Sequence, residues 1–356
     1  MARSTWIASA AVVAAIIVVI GVAVASGMVL LGGQGERREP PVTDAARGSG
    51  STAQKGAMDA WRADFARMHP GLRVTYDANG SGAGIRDFVE GRSAFAGSDV
   101  PMTPEEQVRA DRRCGGRAVH LPMVVGPIAV AYNLPSVPDL RLSPGTLTGI
   151  FSGRITRWDD PRIVADNRGG RLPDTKIHTF RRSDDSGTTY NFLSYLRAAG
   201  RWPQPPSRRW HGPGRGVMSS SDMTRAVKHT RDSIGYVEYG FASSARLTVA
   251  RIRNAAGQFV ALSPQSASKA LKGAKSAGRA DDLVVRIDYT TMVSGAYPLV
   301  LTTYEIICAR DTDPLVLTFL GYTASDAGQS YLSLYGYAPL PDDLLAKVRG
   351  RLGSTT

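Results

Sequence analysis

The sequence predicts an α/β protein, and three observations support that class. Segments in which apolar and polar residues alternate, as in half-buried strands, are followed by segments with apolar residues at helical spacing. The two kinds of segment continue to alternate along the chain, with Gly and Pro between them. The chain has 356 residues, which is enough for about two domains. We therefore expect a sheet flanked by helices rather than an all-β structure.

The individual elements follow from the same patterns. Met58, Trp61 and Phe65 recur at helical spacing, whereas Leu72 and Val74 alternate with polar residues. We expect helices through residues 58–68, 85–89, 193–196 and 313–321. We expect strands through residues 72–76, 94–97, 119–125, 128–132, 177–180, 233–237 and 299–307. Residues 202–216 are rich in Pro, Gly and Arg and predict a loop.

The N-terminus carries an export or membrane segment. Residues 6–31 are uncharged and mostly apolar, and Arg3 precedes them. About 20 such residues span a bilayer, so residues 1–31 are a transmembrane anchor or a signal peptide cleaved near Ala23-Val24-Ala25. Residues 32–47 predict a linker because they are rich in Gly, Pro and charge. The folded part is expected from about residue 48, outside the cytoplasm.

Charge and cysteine content limit the classes of partner and cofactor that the chain is expected to bind. The net charge is +12, but the basic residues are scattered and match no nucleic-acid-binding motif, so we expect no nucleic-acid partner. The two cysteines of an exported chain, Cys114 and Cys308, favour a disulfide, with two buried thiols as the alternative. We expect no metal ion, because neither cysteine has a nearby His or a second Cys close to it in the sequence. No other cofactor is expected.

Three short segments combine Ser, Thr and Gly at the start of an expected helix. They are residues 48–52 (GSGST), 79–84 (NGSGAG) and 182–189 (RSDDSGTT). Unpaired N–H groups and the positive end of the helix dipole make such starts suitable for anions. Three of them, with one Arg and one Asp nearby, predict a pocket around a small oxyanion.

The chain resembles the extracytoplasmic phosphate-binding proteins that serve high-affinity ABC phosphate importers. The resemblance covers about residue 48 to the C-terminus and depends on the order and spacing of several motifs. These are GSGST at 48–52 with Trp61, GS at 80–81, GSDVP at 97–101, RRSDDSGT at 181–188, IGYVEY at 234–239 and YPL at 297–299.

The resemblance implies a two-lobed periplasmic-binding-protein-like fold of the Venus-flytrap kind, with a hinge of two crossing strands. Lobe one would comprise residues 48–133 and 298–356, and lobe two residues 134–297. Asn133 and Pro298 would lie near the crossings. The protein would bind phosphate between the lobes and deliver it, as a monomer, to the membrane permease and ATPase subunits of an ABC importer.

The resemblance also implies a set of ligand residues. These are Thr52, Ala53, Ser81, Asp99, Arg182, Ser186, Gly187 and Thr188, with Asp184 orienting Arg182. Ala53 replaces an aromatic residue of the family pattern and would act through its backbone N–H. Judged from the residues alone, Thr52 is an N-cap, Asp99 a turn residue, and Arg182 with Asp184 a surface ion pair.

Asp99 has the most specific expected role. A carboxylate repels an anion unless the anion carries a proton, and phosphate carries at least one near neutral pH whereas sulfate does not. Asp99 would accept that O–H group and would reject sulfate, because two lone pairs would then face each other. Arsenate carries the same charge and protons as phosphate, so we expect it to bind as well.

Two other functions remain open at the level of sequence. A phosphate sensor with no delivery role would use the same site. An enzyme acting on phosphate esters would need an activated nucleophile, but Ser186 lies in no Gly-x-Ser-x-Gly motif and none of the five His is recognisably its partner. We therefore expect a binding protein and not an enzyme.

Overall fold

The computed structural model describes residues 44–271, 274–278 and 281–353. The strands are β1 (Asp44–Gly50), β2 (Leu72–Ala78), β3 (Phe95–Ser98), β4 (Ala118–Asn133), β5 (Arg141–Leu142), β6 (His178–Arg182), β7 (Arg215–Val217), β8 (Ser233–Glu238), β9 (Thr248–Val249), β10 (Arg251–Arg253), β11 (Phe259–Val260), β12 (Lys275–Ser276), β13 (Val285–Arg286) and β14 (Val300–Cys308).

The helices lie between these strands and at the C-terminus. They are α1 (Lys55–Met68), α2 (Ser81–Val89), α3 (Pro104–Arg113), α4 (Pro144–Phe151), α5 (Pro161–Asp166), α6 (Gly187–Gly200), α7 (Ser220–His229), α8 (Tyr239–Ser244), α9 (Pro264–Ala270), α10 (Pro314–Thr323), α11 (Asp326–Ser330) and α12 (Asp342–Gly353), with a 3-10 turn at Leu332–Tyr335. The alternation of strands and helices confirms the α/β class.

A mixed sheet organises the molecule, with strand order β2-β1-β3-β14-β4-β8-β6-β7 and β9 beside β4. β1 is parallel to β2 and β3, and β6 is parallel to β7 and β8. β14 is antiparallel to β3 and β4, and β4 is antiparallel to β8. The loops that follow β1, β2, β3 and β6 carry the three Ser/Thr/Gly segments and Asp99, at strand ends where open α/β sheets bind ligands.

β4 connects the two largest hydrophobic clusters. Its residues Leu121 and Val124 pack in a cluster with Trp61 of α1, and its residue Tyr132 packs in the other cluster with Trp158. The sequence predicted two strands here, at 119–125 and 128–132, which is wrong. β4 is one continuous strand because its first part pairs with β14 and its second part pairs with β8. A shift in register between Thr303 and Tyr304 of β14 accommodates Pro122 of β4, which lies opposite Tyr304.

Two predictions at the N-terminal end also need correction. β1 begins at Asp44, so residues 44–47, expected in the linker, pair with β2. The first Ser/Thr/Gly segment does not start a helix, because α1 begins at Lys55 after Gln54 and Thr52 is not its N-cap. The second segment starts α2, and the third starts α6 with Ser186 as N-cap.

The predicted membrane or signal segment, residues 1–31, lies outside the described residues, as do residues 32–43. Among the described residues, no helix is both long and apolar enough to cross a membrane. The predicted disulfide is present: Cys114, which directly follows α3 as its C-cap, is bonded to Cys308, the last residue of β14, across 194 positions of sequence.

Candidate anion-binding site

The three Ser/Thr/Gly segments meet at one place. The Gly80 N–H group donates to the carbonyl of Gly50 at 2.8 Å, which joins the second segment to the first. The Gly82 N–H group donates to the carbonyl of Asp185 at 3.1 Å, which joins the second to the third. These backbone contacts bring residues far apart in sequence around a common buried centre.

Arg182, the last residue of β6, forms the cationic end of this centre. Its side chain is only 2% exposed and pairs with both carboxylate oxygens of Asp184, at 2.7 Å from Nε and 2.5 Å from Nη2. Burial is the largest single influence and opposes the charge, but the hydrogen bonds and charge of Asp184, together with the charge of Glu238, outweigh it and hold the pKa of Arg182 above its ordinary value. The planar guanidinium is thereby fixed in orientation.

Two hydroxyl groups complete the cationic end. Arg182 donates from Nη2 to Thr52 Oγ1 at 3.1 Å and from Nη1 to Ser220 Oγ at 3.2 Å, and the two hydroxyl oxygens are 3.0 Å apart. Sequence reasoning singled out Thr52 but missed Ser220, the first residue of α7. The run Ser219-Ser220-Ser221 before the apolar positions of α7 is the pattern that could have indicated it.

Asp99 forms the acidic end, directly after β3, and is 3% exposed. Its hydrogen-bond donors among the described residues are hydroxyl groups: Ser51 at 2.6 Å and Thr303 at 2.9 Å on Oδ1, and Ser81 at 3.2 Å on Oδ2. Burial is the largest cause that raises the pKa of Asp99 to about 6, with the charge of Glu238 adding to it. Ser51 and Thr303 were not predicted.

Gly187, the first residue of α6, approaches the acidic end with its backbone. A Cβ at this position would lie 2.5 Å from Ser81 Oγ and 2.7 Å from Asp99 Oδ2, closer than real Cβ contacts allow. Glycine is therefore required for α6 to point its N-terminus at Asp99 and Ser81.

Several backbone N–H groups in the three segments have no partner within the described part of the protein. In the described part of the chain, the N–H groups of Thr52, Ser81, Gly187 and Thr188 have no hydrogen-bond acceptor. The N–H group of Ala53 differs, because it donates to Ser51 Oγ at 3.0 Å. Such groups at helix starts can bind an anion without any formal charge.

The remaining predicted residues are engaged within the protein. The Ser186 hydroxyl accepts from the Thr189 N–H group at 3.3 Å as the N-cap of α6, and the Thr188 hydroxyl donates to the buried carboxylate of Glu238. These bonds leave the side chains of Ser186 and Thr188 fixed at the start of α6. Among the described residues, the site thus combines the Arg182–Asp184 pair, the carboxylates of Asp99 and Glu238, several hydroxyl groups and free N–H groups.

Comparison with known proteins identifies the family. The PBP superfamily domain matches residues 35–327. The phosphate-binding protein PstS 3 of Mycobacterium tuberculosis is 44% identical over 312 residues, covering 85% of this chain and 84% of that protein. PstS 2 of the same organism is 42% identical over 313 residues, covering 84% of each. The chain belongs to the PstS family of the PBP superfamily.

A solved structure agrees at the level of the fold. The high-affinity periplasmic phosphate-binding protein PfluDING, with phosphate bound, superposes with a TM-score of 0.70 at 22% identity and covers 86% of this chain and 93% of its own. The resemblance stated from the sequence motifs is thus confirmed at the level of the family. The PstS relatives are binding proteins, which confirms the expectation that this chain is not an enzyme.

Proposed function

We propose that this chain binds inorganic phosphate outside the cytoplasm and delivers it to an ABC phosphate importer. The observation that carries the proposal is the pairing of opposite ends in one buried site: Arg182 with its hydroxyl partners at one end, and Asp99 at the other. Membership of the PstS family supports the same ligand.

The two ends would recognise different oxygens of phosphate. Arg182, Thr52 and the free N–H groups of Gly187 and Thr188 would bind the ionised oxygens, because all of them donate hydrogen bonds. Asp99 would accept the O–H group, since its carboxylate has only acceptor capacity when ionised. Sulfate offers no proton at this position and would leave a buried carboxylate facing a lone pair.

The proposed ligand set is the predicted one, with two adjustments. Thr52, Ser81, Asp99, Arg182, Ser186, Gly187 and Thr188 keep their roles, and Asp184 orients the guanidinium. Ala53 would contribute indirectly, because its N–H donates to Ser51, which in turn donates to Asp99. Ser220 joins the set through its bonds to Arg182 and Thr52.

Capture would occur by closure of two lobes, residues 44–133 with 298–356 and residues 134–297, where lobe one starts at β1 rather than at residue 48. Asn133 at the end of β4 and Pro298 before β14 would lie at the hinge. The bonds from Arg182 to Thr52 and from Gly82 to Asp185 join residues of different lobes, as closure requires. Closure would exclude water and strengthen each polar contact.

The proposed cellular setting follows from the family and the N-terminus. Residues 1–31 would anchor the protein to the membrane or direct its secretion, and the linker from residue 32 would give an anchored domain reach. The closed form would dock, as a monomer, on the permease, and the ATPase subunits would drive release.

Titration calorimetry of the purified, exhaustively dialysed protein tests the ligand. Phosphate and then sulfate are titrated into wild type and into Asp99→Asn. We expect one-to-one phosphate binding, no sulfate heat in wild type, and weakened discrimination in the variant. Absence of phosphate binding by wild type at several temperatures would contradict the proposal.

A further inference from the structure

We infer that four charged side chains, Arg86, Asp185, Arg208 and Glu106, form a latch that holds the site closed without touching the ligand. This inference rests on the proposed closure around phosphate. The latch deepens that proposal, since it assigns part of the affinity to residues outside the ligand set.

The four side chains form a chain of alternating charge. Arg86 Nη1 lies 3.1 Å from Asp185 Oδ2, and Arg208 Nε lies 2.9 Å from Asp185 Oδ1. Arg208 then donates from Nη1 to Glu106 Oε2 at 3.2 Å and from Nη2 to Glu106 Oε1. The fork of Arg208 thus binds both oxygens of Glu106, the strong arrangement for an Arg–carboxylate pair.

Two of these three pairs cross between the proposed lobes. Arg86 on α2 and Glu106 on α3 belong to lobe one, whereas Asp185 and Arg208 belong to lobe two. The Arg208–Asp185 pair lies within lobe two and orients Arg208 for its partner. Because the crossing pairs form only when the lobes meet, their free energy favours the closed state alone.

Of the two pairs that cross between the proposed lobes, burial makes Arg208–Glu106 stronger than Arg86–Asp185. The side chains of Arg208 and Glu106 are 15% and 17% exposed, whereas Arg86 is 46% exposed. Exposed pairs are weakened by solvent and salt, and partly buried ones less so. Burial is the largest single influence and opposes the charge of Arg208, but the hydrogen bonds and charges of Glu106 and Asp185 together outweigh it and raise the pKa of Arg208.

The latch is tied to the site through the backbone. The Ser186 N–H group donates to the carbonyl of Arg208 at 2.9 Å, and the Gly82 N–H group to the carbonyl of Asp185 at 3.1 Å. A Cβ on Gly82 would lie 2.2 Å from the carboxyl carbon of Asp185, so glycine permits this approach. Closing the latch therefore places Ser186 and the start of α6 against α2.

Arg208→Gln and Glu106→Gln test the latch, singly and together, by phosphate titration. Gln can replace Glu106 in the capping box of α3, so this variant removes the charge and keeps the helix start. Each single variant should raise the phosphate Kd about tenfold, and the double variant by about the same factor, because either change breaks the same pair. Arg251→Gln, which breaks the Arg251–Asp139 pair inside lobe two, is the matched control and should change Kd less than about twofold.

Several results would overturn the latch. An unchanged phosphate Kd in both single variants would overturn it while leaving the proposed phosphate binding intact. Additive increases of Kd in the double variant would also overturn it. If wild type binds no phosphate, the proposed function fails instead of the latch. Small-angle scattering then tests the latch, by comparing the overall dimensions of ligand-free wild type and the double variant. A more expanded double variant at low salt would support it, and identical curves would overturn it. Thermal unfolding checks that every variant is folded.

Discussion

At one end of the site Arg182 is held by hydrogen bonds to the carboxylate of Asp184, whereas at the other end the side-chain donors to Asp99 are uncharged hydroxyl groups. Both side chains are buried, with Arg182 2% and Asp99 3% exposed. The same burial has opposite outcomes. Asp184 helps to keep the pKa of Arg182 above its ordinary value, whereas no cation in the described part of the chain pairs with Asp99, whose pKa rises to about 6.

This difference indicates how one site can attract an anion and still select it. In the proposed site, the fixed charge of Arg182 and the N–H groups at the start of α6 would favour any tetrahedral oxyanion. The carboxylate of Asp99 would penalise every oxyanion that offers it no proton. Affinity and selectivity would therefore depend on different ends, and substitutions at the two ends should have separable effects.

Removing the cation should have the largest effect on binding. We expect Arg182→Ala to weaken phosphate binding about 100-fold to 1000-fold, because a buried hydrogen-bonded charge is lost. It should also destabilise the ligand-free protein by about 3–5 kcal/mol, since Asp184 is left buried without its partner. Calorimetry and urea unfolding measure the two effects.

The double variant Arg182→Ala/Asp184→Ala separates the effect on phosphate affinity from the effect on stability. It should recover much of the stability, because no unpaired charge remains, but none of the affinity. Recovery of phosphate binding in the double variant would show that the guanidinium is not what binds the anion.

The second-largest expected effect is a loss of selectivity when Asp99, at the acidic end, is changed. Asp99→Asn should reduce the preference for phosphate over sulfate about 100-fold, because the amide can donate to sulfate and no buried charge opposes it. Competition calorimetry with both anions measures this ratio. An unchanged ratio would mean that selectivity resides elsewhere in the site.

The raised pKa of Asp99 also predicts a pH dependence of stability. Between the ordinary value of 3.8 and about 6, the folded protein binds more protons than the unfolded chain, so this carboxyl lowers stability as pH rises. Ligand-free Asp99→Asn should therefore gain stability over wild type as pH increases from 4 to 7, by about 2 kcal/mol.

Urea unfolding at pH 4, 5, 6 and 7 measures this difference. Glu305, whose pKa is raised to about 8 mainly by burial, is present in both proteins and should largely cancel in the comparison. A difference in stability that stays constant with pH would contradict the raised pKa of Asp99.

A smaller effect is expected at Ser220, the unpredicted member of the cationic end. Ser220→Ala should weaken phosphate binding about fivefold, since Arg182 and Thr52 lose one hydroxyl partner. Ser221→Ala, at an exposed position one residue further along α7, is the control and should bind like wild type. Equal affinities of the two variants would remove Ser220 from the proposed set.

The disulfide should matter least for binding. Replacing Cys114 and Cys308 with Ser should lower stability by about 2–4 kcal/mol, because the bridge closes a long loop. It should change the phosphate Kd less than about twofold, since neither Cys contacts the site. Thermal unfolding and calorimetry measure both, and a large loss of affinity in folded protein would link the bridge to the site.

Much of the fold could be predicted because its elements carry local patterns. Trp61 and Phe65 at helical spacing and Val74 in an alternating run indicate α1 and β2 directly. β1 was not predicted: residues 44–47 were assigned to the linker, and Asp44 and Arg47 are unusual in strands. Parallel pairing with β2, and with β3 toward its end, overrides that low local preference.

The site was less completely predictable because its contacts are long-range. Ser220 lies 168 positions from its partner Thr52, and Thr303 lies 204 positions from Asp99. The Ser219–Ser221 run indicates only a helix start, and no local pattern shows that Ser220 or Thr303 reaches the site. Arg208, likewise, is an arginine in a loop until the fold brings it to Glu106.

A crystal structure of the phosphate complex tests the central claim most directly, namely that both ends of the site bind one anion. We predict one phosphate with an oxygen about 2.7–2.9 Å from an Arg182 guanidinium nitrogen and another about 2.5–2.7 Å from an Asp99 carboxylate oxygen. An anion bound elsewhere, or one held by Arg182 with Asp99 turned away, would contradict the account.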